Sequence, residues 1–463
     1  VQWEPSHLGI FRPPFAQMVE VLDGRLLWLP ESCGSLPSGH AFSSADVIPA
    51  LTLCMDASAD SSCPDSSKPR SYSVPHYTLG SVGRAFGPLA LDQLLGFCHN
   101  LDRRLQVDSK VILVTDPGDA NDRTNAAVCL GAYLVLKGNF SLPQLHSTFG
   151  SAEAGRKFVC SFASLRKPEP ARTLKVSDCW HGLILARDQG WLDANCISQA
   201  CERHRFLADC CDAAWIIPGR ILVSADPITT ANDPNPQTFS SVFPKELHLL
   251  KNRDLSLSSI STHVGSSAAS SSTDADSDVS EILQADSING PLHQDCWAPR
   301  ASTKATPSDW VALLQESKIS MVMRTNSVTE PGMVTRSYDP DLLMDWDIQH
   351  TDITLVDGGC PSPDNVRQAL RRCSDVVDSE GGGLLIHCKG GFGRSVIMAC
   401  CLIIHKLDVP GSALLGWVRI VRPGAVNTPK QEKFLQSLRG RGDLMRFVEG
   451  SHASCGPPQC AVQ

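Results

Sequence analysis

The sequence predicts an α/β fold in two units, and three observations predict it. Short apolar runs bounded by glycine, proline or aspartate alternate with longer stretches of helical period. Two of those runs, 111–114 (VILV) and 383–387 (GLLIH), end in a polar turn that leads into an apolar helix. A length of 463 residues exceeds what one ordinary core holds.

Residues 1–18 read as an irregular lead-in, and the first unit spans 19–175. It opens with a strand pair at 19–29 (VEVLDGRLLWL), followed by a long surface loop at 35–77 rich in Ser, Pro, Asp and Cys. A helix over 89–105, the strand 111–114 and a helix over 123–136 follow. Residues 176–213 carry helical signals and predict a linker helix region, after which a second unit runs over 214–450. A new start at 214–220 (AWIIPGR) leads into the strand 221–223. From about 250 to 306 the composition shifts to Ser, Ala, Asp and Thr, too poor in apolar groups to fold, which predicts a disordered insertion. Then come helix 310–316, strands 319–323 and 353–356, helix 364–377 and the strand ending at His387. Helices at 395–407, 414–421 and 429–438 follow, and 451–463 is a tail.

A net charge of −8 argues against a general nucleic-acid binder. The 19 cysteines are odd in number and scattered, with no metal-ligand spacing, so no metal and no cofactor are expected. Such usage implies a reducing, intracellular setting, cytoplasmic and/or nuclear. The N-terminal residues show no signal-peptide pattern, and no apolar run reaches membrane-spanning length; 126–136 and 398–404 are of core length.

The informative stretch is Gly383 to Ser395, GLLIHCKGGFGRS. Strand, glycine loop and helix N-terminus together make an anion nest, in which backbone N–H groups curl inward and the helix dipole adds positive potential. Lys389, Gly390, Gly391, Phe392 and Gly393 would line that cradle. Cys388 stands at its mouth, where a cysteine is favoured as its thiolate. Arg394 supplies a planar fork for phosphoryl oxygens, and Ser395 a hydroxyl for the sulfur. His387 is expected to bond neighbouring backbone and help hold the thiolate. The chemistry is nucleophilic attack on a phosphate monoester. Spacing alone does not say this, since Cys98 with Arg104 and Cys160 with Arg166 share it without the glycines. The first unit repeats the strand, turn and helix at 111–136 but lacks the cysteine. Its Asp116, Asp119 and Asp122 would repel phosphate, so that unit is expected to be inactive.

The leaving oxygen needs a proton, and Asp357, in VDGGCP after an apolar run, is the leading general acid. Asp364 competes but stands where a helix N-cap is expected. Hydrolysis of the covalent intermediate needs a water oriented by an amide, for which Asn427 and Gln431 are candidates.

His387-Cys388-Lys389-Gly390-Gly391-Phe392-Gly393-Arg394-Ser395 resembles the signature of cysteine-dependent tyrosine and dual-specificity phosphatases. Asp23-Gly24-Arg25-Leu26, Phe86-Gly87-Pro88-Leu89, Trp215-Ile216-Ile217-Pro218-Gly219 and Trp417 to Gly424 (WVRIVRPG) resemble one branch, the cell-division-cycle fourteen phosphatases. The resemblance implies two tandem phosphatase-like domains, each a central mixed sheet flanked by helices, the first inactive, joined by a linker helix. It implies Cys388 as nucleophile, Arg394 as phosphate binder, Asp357 as acid, and Gln431 near the water-positioning glutamine. It also implies phosphoprotein partners phosphorylated by proline-directed kinases. Two departures stand out: Val396 replaces a glycine after the Arg-Ser pair, and the linker segment 202–206 (ERHRF) is largely basic where the family's is acidic.

The leading reading is therefore a metal-free phosphoprotein phosphatase. A phosphoinositide phosphatase would call for a second basic residue in the loop, where Phe392 stands. A phosphate-binding scaffold without turnover would not need Cys388, Arg394 and Asp357 together.

Overall fold

A computed structural model describes residues 18–30, 87–158 apart from 109 and 116–119, 174–192, 211–227, 307–378 apart from 332, 334–335 and 345, and 382–450. Short pieces at 47–49, 78–79, 83–84, 200, 203–204 and 207–208 complete it. The insertion at 250–306, the lead-in 1–17, the tail 451–463, and the Cys160 and Arg166 pair lie outside the described residues.

In the N-terminal half, β1 (Val19–Leu22) and β2 (Leu26–Leu29) form an antiparallel hairpin that turns through Gly24 at φ 64°. Then come β3 (Val47–Pro49), a small hairpin of β4 (Thr78–Leu79) and β5 (Gly83–Arg84), and α1 (Leu91–Val107). β6 (Val111–Val114), α2 (Ala120–Leu136) and α3 (Leu142–Ala154) follow. The sheet order is β1-β2-β6-β3, with β2, β6 and β3 parallel. Parallel strands are covered on both faces, which is why β2 and β6 are unbroken apolar runs. α2 is buried all round from Thr124 to Leu136, so its apolar stretch is core. Among the described residues no helix is long and apolar enough to cross a membrane.

α4 (Val176–Asp188) leads out of this half, followed by the antiparallel pair β7 (Ala213–Ile217) and β8 (Ile221–Ala225). The chain continues through α5 (Pro307–Glu316), β9 (Ile319–Arg324), α6 (Asp341–Met344), β10 (Gln349–Asp352) and α7 (Pro363–Asp378). β11 (Gly383–Cys388), α8 (Arg394–Leu407), α9 (Gly411–Val421), α10 (Pro429–Ser437) and α11 (Arg441–Glu449) complete it. The second sheet has the order β10-β9-β11-β8-β7, so β11 is central and parallel to both neighbours. Two mixed α/β sheets flanked by helices, with α4 between them, match the fold the sequence predicts.

α4 packs on α2 and, most extensively, on α9. A Cβ at Gly182 would lie 2.5 Å from the Trp417 nitrogen, and one at Gly416 would overlap the Asp178 carbonyl. The two helices therefore cross with their backbones touching. A single hydrophobic cluster runs from Trp28 in the first sheet to Val418 and Leu435 in the second.

Four local expectations need correction. The 35–77 loop contains β3, which extends the first sheet. The expected strand at 353–356 lies four residues earlier, as β10, whose polar sequence QHTD suits an exposed sheet edge. Ile353 and Leu355 are buried beyond it, their N–H groups donating to the Arg324 and Thr325 carbonyls. α6 and α11 are helices the sequence reading did not anticipate, so 429–438 is not the last. α2 begins at Ala120 rather than 123; Asp122 lies in its first turn, and Asp116 and Asp119 fall outside the described residues.

Candidate active site

β11 ends at Cys388 and α8 begins at Arg394, which puts the connecting loop at the carboxyl edge of the central strand. Gly391 takes φ 69°, and a Cβ there would lie 2.5 Å from the Ser224 carbonyl carbon and 2.6 Å from the Ala225 nitrogen. Only glycine fits. The loop's carbonyls are tied down on its outer side. Arg422 Nε donates to Gly391 O at 2.7 Å, its Nη2 donates to Gly390 O at 3.3 Å, and the Val426 N–H donates to Phe392 O at 2.7 Å. The Arg422 guanidinium also lies 4.3 Å from the Phe392 ring centroid and donates to Asp212 Oδ1 at 2.7 Å. With carbonyls held outward, the N–H groups face the cradle.

Cys388 is buried, and its Sγ accepts the Gly391 N–H at 3.2 Å and lies 3.4 Å from Ser395 Oγ. Arg394 is buried and grips the Glu330 carboxylate with both Nη atoms, Nη2 to Oε2 at 2.8 Å. Its Nη1 also donates to Leu355 O at 3.3 Å. Its Nε is buried and has no hydrogen-bond partner. Burial disfavours the charge on Arg394, but the Glu330 bond and the charges of Cys388, Glu330 and Asp357 together outweigh it and hold the guanidinium above its ordinary value. Burial likewise pushes the Glu330 carboxyl up, and the bonds from Arg394 and the Ser327 N–H reverse this, leaving it below the usual range.

Asp357 stands on the exposed loop opposite, with Oδ1 3.3 Å from Arg394 Nη2. Two side chains at the start of α10 strap this loop to the cradle: Thr428 Oγ1, from the residue that caps the helix, donates to Gly358 O at 3.1 Å, and Gln431 Nε2 donates to Gly359 O at 2.8 Å. Asp364 is not brought to the site. It is not the helix N-cap either, because Ser362 Oγ accepts the Asn365 N–H at 3.1 Å in that role, and the exposed Asp364 carboxylate pairs with Arg367.

Asn427 and Gln431 both reach the cradle. A Cβ at Gly393 would lie 2.9 Å from Asn427 Oδ1 and 3.1 Å from both amide atoms of Gln431. Asn427 Oδ1 and Gln431 Oε1 are buried without hydrogen-bond partners, as suits acceptors for a reacting water. Lys389 faces away from this role with its amine, which donates to Pro331 O at 2.6 Å.

The side chain of His387 bonds the neighbouring Cys388 backbone and also meets another side chain. Its Nε2 is 2.7 Å from Tyr338 Oη, which is also 3.2 Å from His350 Nε2. Burial, then the charge of Arg324, holds the His387 imidazole well below its ordinary range, so it is neutral. Glu330, Tyr338 and His350 were missed by sequence reasoning. Glu330 lies in the irregular chain between β9 and β10, where the one usable signal is that a buried arginine needs a carboxylate.

Two family models match in tandem. One, described as the N-terminal half of dual specificity protein phosphatases, covers residues 77–186, and the other, a DSP-PTPase phosphatase domain of the Swiss Army Knife type, covers 301–435. The tyrosine-protein phosphatase cdc-14 of Caenorhabditis elegans is 24% identical over 364 residues, 76% of this chain and 40% of that relative. Over most of its length the chain is similar to the CDC14-type dual-specificity phosphatases. Dual specificity protein phosphatase CDC14AB of Danio rerio is 24% identical over 407 residues, 85% of this chain and 54% of its own. The chain thus spans about half the length of the curated CDC14 relatives it matches.

Within this CDC14-type frame the second matched region contains every candidate site residue, and the first ends in α4. Val396, which departs from the family's glycine, is fully buried in α8. The helix start is regular, with the Ile397 N–H on Gly393 O at 2.9 Å. In the linker, Arg203 lies 5.8 Å from the Trp215 ring centroid, and the acidic contact to the loop comes from Asp212.

Proposed function

We propose that the chain is a cysteine-dependent protein phosphatase acting on phosphoserine or phosphothreonine and on phosphotyrosine. The observation that carries this reading is the Cys388 sulfur, bonded by the Gly391 N–H and Ser395, beside an Arg394 whose buried Nε has no protein partner. In the first step Sγ attacks phosphorus, the ester P–O bond breaks, and Asp357 gives its proton to the leaving oxygen. The phosphoryl oxygens are met by the loop's N–H groups and Arg394. In the second step a water oriented by Gln431 and Asn427 attacks phosphorus and passes its proton to Asp357. The P–S bond breaks, and Ser395 donates to the departing sulfur. Inorganic phosphate is released.

The family resemblance supports a narrower reading: preference for Ser-Pro sites, reversal of cyclin-dependent kinase phosphorylation, and a cell-cycle role. A reactive cysteine supports an intracellular setting, cytoplasmic and/or nuclear.

The test is turnover of a phosphoserine-proline peptide, a phosphotyrosine peptide and a phosphoinositide, each with chelator present and with Cys388→Ser alongside. Faster turnover of the phosphoserine-proline peptide, abolished in Cys388→Ser, is the expected result. Binding without turnover of any substrate overturns the enzyme reading in favour of a scaffold, and preference for the phosphoinositide overturns the protein substrate class.

A further inference from the structure

We propose that Glu432 is a positioning residue through which the N-terminal half holds the water-orienting amides for the second chemical step. This inference rests on the two-step reading above and deepens it.

Glu432 follows Gln431 on α10 and is 2% exposed. Its Oε1 accepts the backbone N–H of Leu174 at 3.0 Å. Leu174 lies just before α4, inside the region matched by the N-terminal family model. The other oxygen, Oε2, faces Arg419 Nη2 at 3.6 Å, and Arg419 is equally buried. Arg419 in turn donates from Nε to Ala425 O and from Nη2 to Val426 O at 2.7 Å. Asn427 is the next residue.

Val426 itself gives the linkage a purpose. It takes φ 54°, a left-handed conformation that a β-branched residue avoids. Such strain persists only where the surroundings fix it. Here Arg419 fixes the carbonyl, and the N–H is bonded to Phe392 O of the cradle. The strained residue aims Asn427 at Gly393, and α10 aims Gln431 at the same place. Glu432 is the counter-charge that keeps Arg419 in position and ties α10 to the first half. Its loss leaves a buried guanidinium and a buried N–H short of an acceptor. Cys388 and Arg394 make no contact with Glu432 or Arg419, and p-nitrophenolate leaves without needing the Asp357 proton, so with p-nitrophenyl phosphate the first step is spared.

The experiment is rapid-quench turnover of p-nitrophenyl phosphate by the full chain, with covalently bound phosphate measured on Cys388 at steady state. Parent, Glu432→Ala and Glu432→Gln are compared. In Glu432→Ala, leaving-group release keeps its parental rate, phosphocysteine accumulates, and kcat falls on the order of tenfold to a hundredfold, the size of loss a misplaced group brings. Glu432→Gln keeps an acceptor for the Leu174 N–H but removes the counter-charge of Arg419, so its loss of kcat and its phosphocysteine level fall between those of the parent and Glu432→Ala. Should Glu432→Ala fail to accumulate as folded protein, Glu432→Asp, which withdraws the carboxylate by one methylene, serves the same comparison. Equal phosphocysteine levels in parent and variant overturn the inference, as does equal slowing of both steps. Absence of phosphocysteine under every condition, in the parent and in Glu432→Ala alike, overturns the two-step reading itself.

Discussion

Arg394 and Glu330 form a bidentate ion pair that engages both Nη atoms of the guanidinium and leaves the buried Nε without a partner. The pair fixes the plane of the fork before any phosphate arrives. A carboxylate on the far side of the guanidinium thus acts as its orienting group.

Removing that orienting group should weaken transition-state binding without removing the nucleophile. Glu330→Ala is expected to lower kcat/KM by about ten- to a hundredfold, or about 1.4–2.7 kcal/mol. Alkylation of Cys388 should persist. The Glu330 pKa is depressed in the folded state, so the stability it contributes is present above the ordinary glutamate value and is lost as pH falls through the depressed one. Melting curves between pH 7 and pH 3 should therefore show a smaller acid loss in Glu330→Gln than in the parent.

The placement of the two candidate acids separates them. Asp357 lies 3.3 Å from Arg394, whereas Asp364 is paired with Arg367 on the exposed first turn of α7. Asp357→Ala should reduce kcat by about 10²- to 10⁴-fold for poor leaving groups. Asp364→Ala should leave it within a few-fold. Steady-state kinetics on a phosphoserine peptide decide between them.

Gly391 tolerates no side chain. Its positive φ and the 2.5 Å approach to Ser224 mean that Gly391→Ala must move the loop or strand β8. A stability loss of about 1–3 kcal/mol is expected, with loss of phosphate binding. Denaturant unfolding together with orthovanadate binding measures both, and unaltered binding would contradict the close-packed cradle.

Buried neutral histidines predict acid sensitivity beneath the site. Burial lowers His350 to about 4, with Arg324 adding to it and Asp352 opposing it, and His387 is lowered further by burial and Arg324. Both unfolded imidazoles bind protons near pH 6.5 while the folded ones do not. Stability is therefore full above 6.5 and declines toward pH 4. His350→Gln should flatten that decline relative to the parent in urea unfolding at pH 7.5 and pH 5. An unchanged slope would rule out His350 as a source of the sensitivity.

What was legible in the sequence follows from distance along the chain. Cys388, the glycines, Arg394 and Ser395 are consecutive, so a strand, a nest and a helix N-terminus built from neighbouring residues bring them together automatically. Asp357 was legible because it follows an apolar run, although the run proved to be irregular chain past β10, buried at Ile353 and Leu355 alone, rather than a strand. β10 itself was hidden because an exposed edge strand carries polar residues, which removes the apolar signal. β3 and α6 were hidden by their shortness.

The sequence by itself determined the two α/β units, the nucleophile loop and the reaction chemistry those residues can perform. Tertiary structure alone decided the pairings: Glu330 on Arg394, Tyr338 on His387, Asp357 on Arg394, and Leu174 on Glu432 across 258 residues of chain. Each of those partners lies in a loop or at a helix end, where no periodicity marks it. What selects it is the cost of leaving a buried charge or polar atom unpaired, and that cost exists only once the core has closed around it.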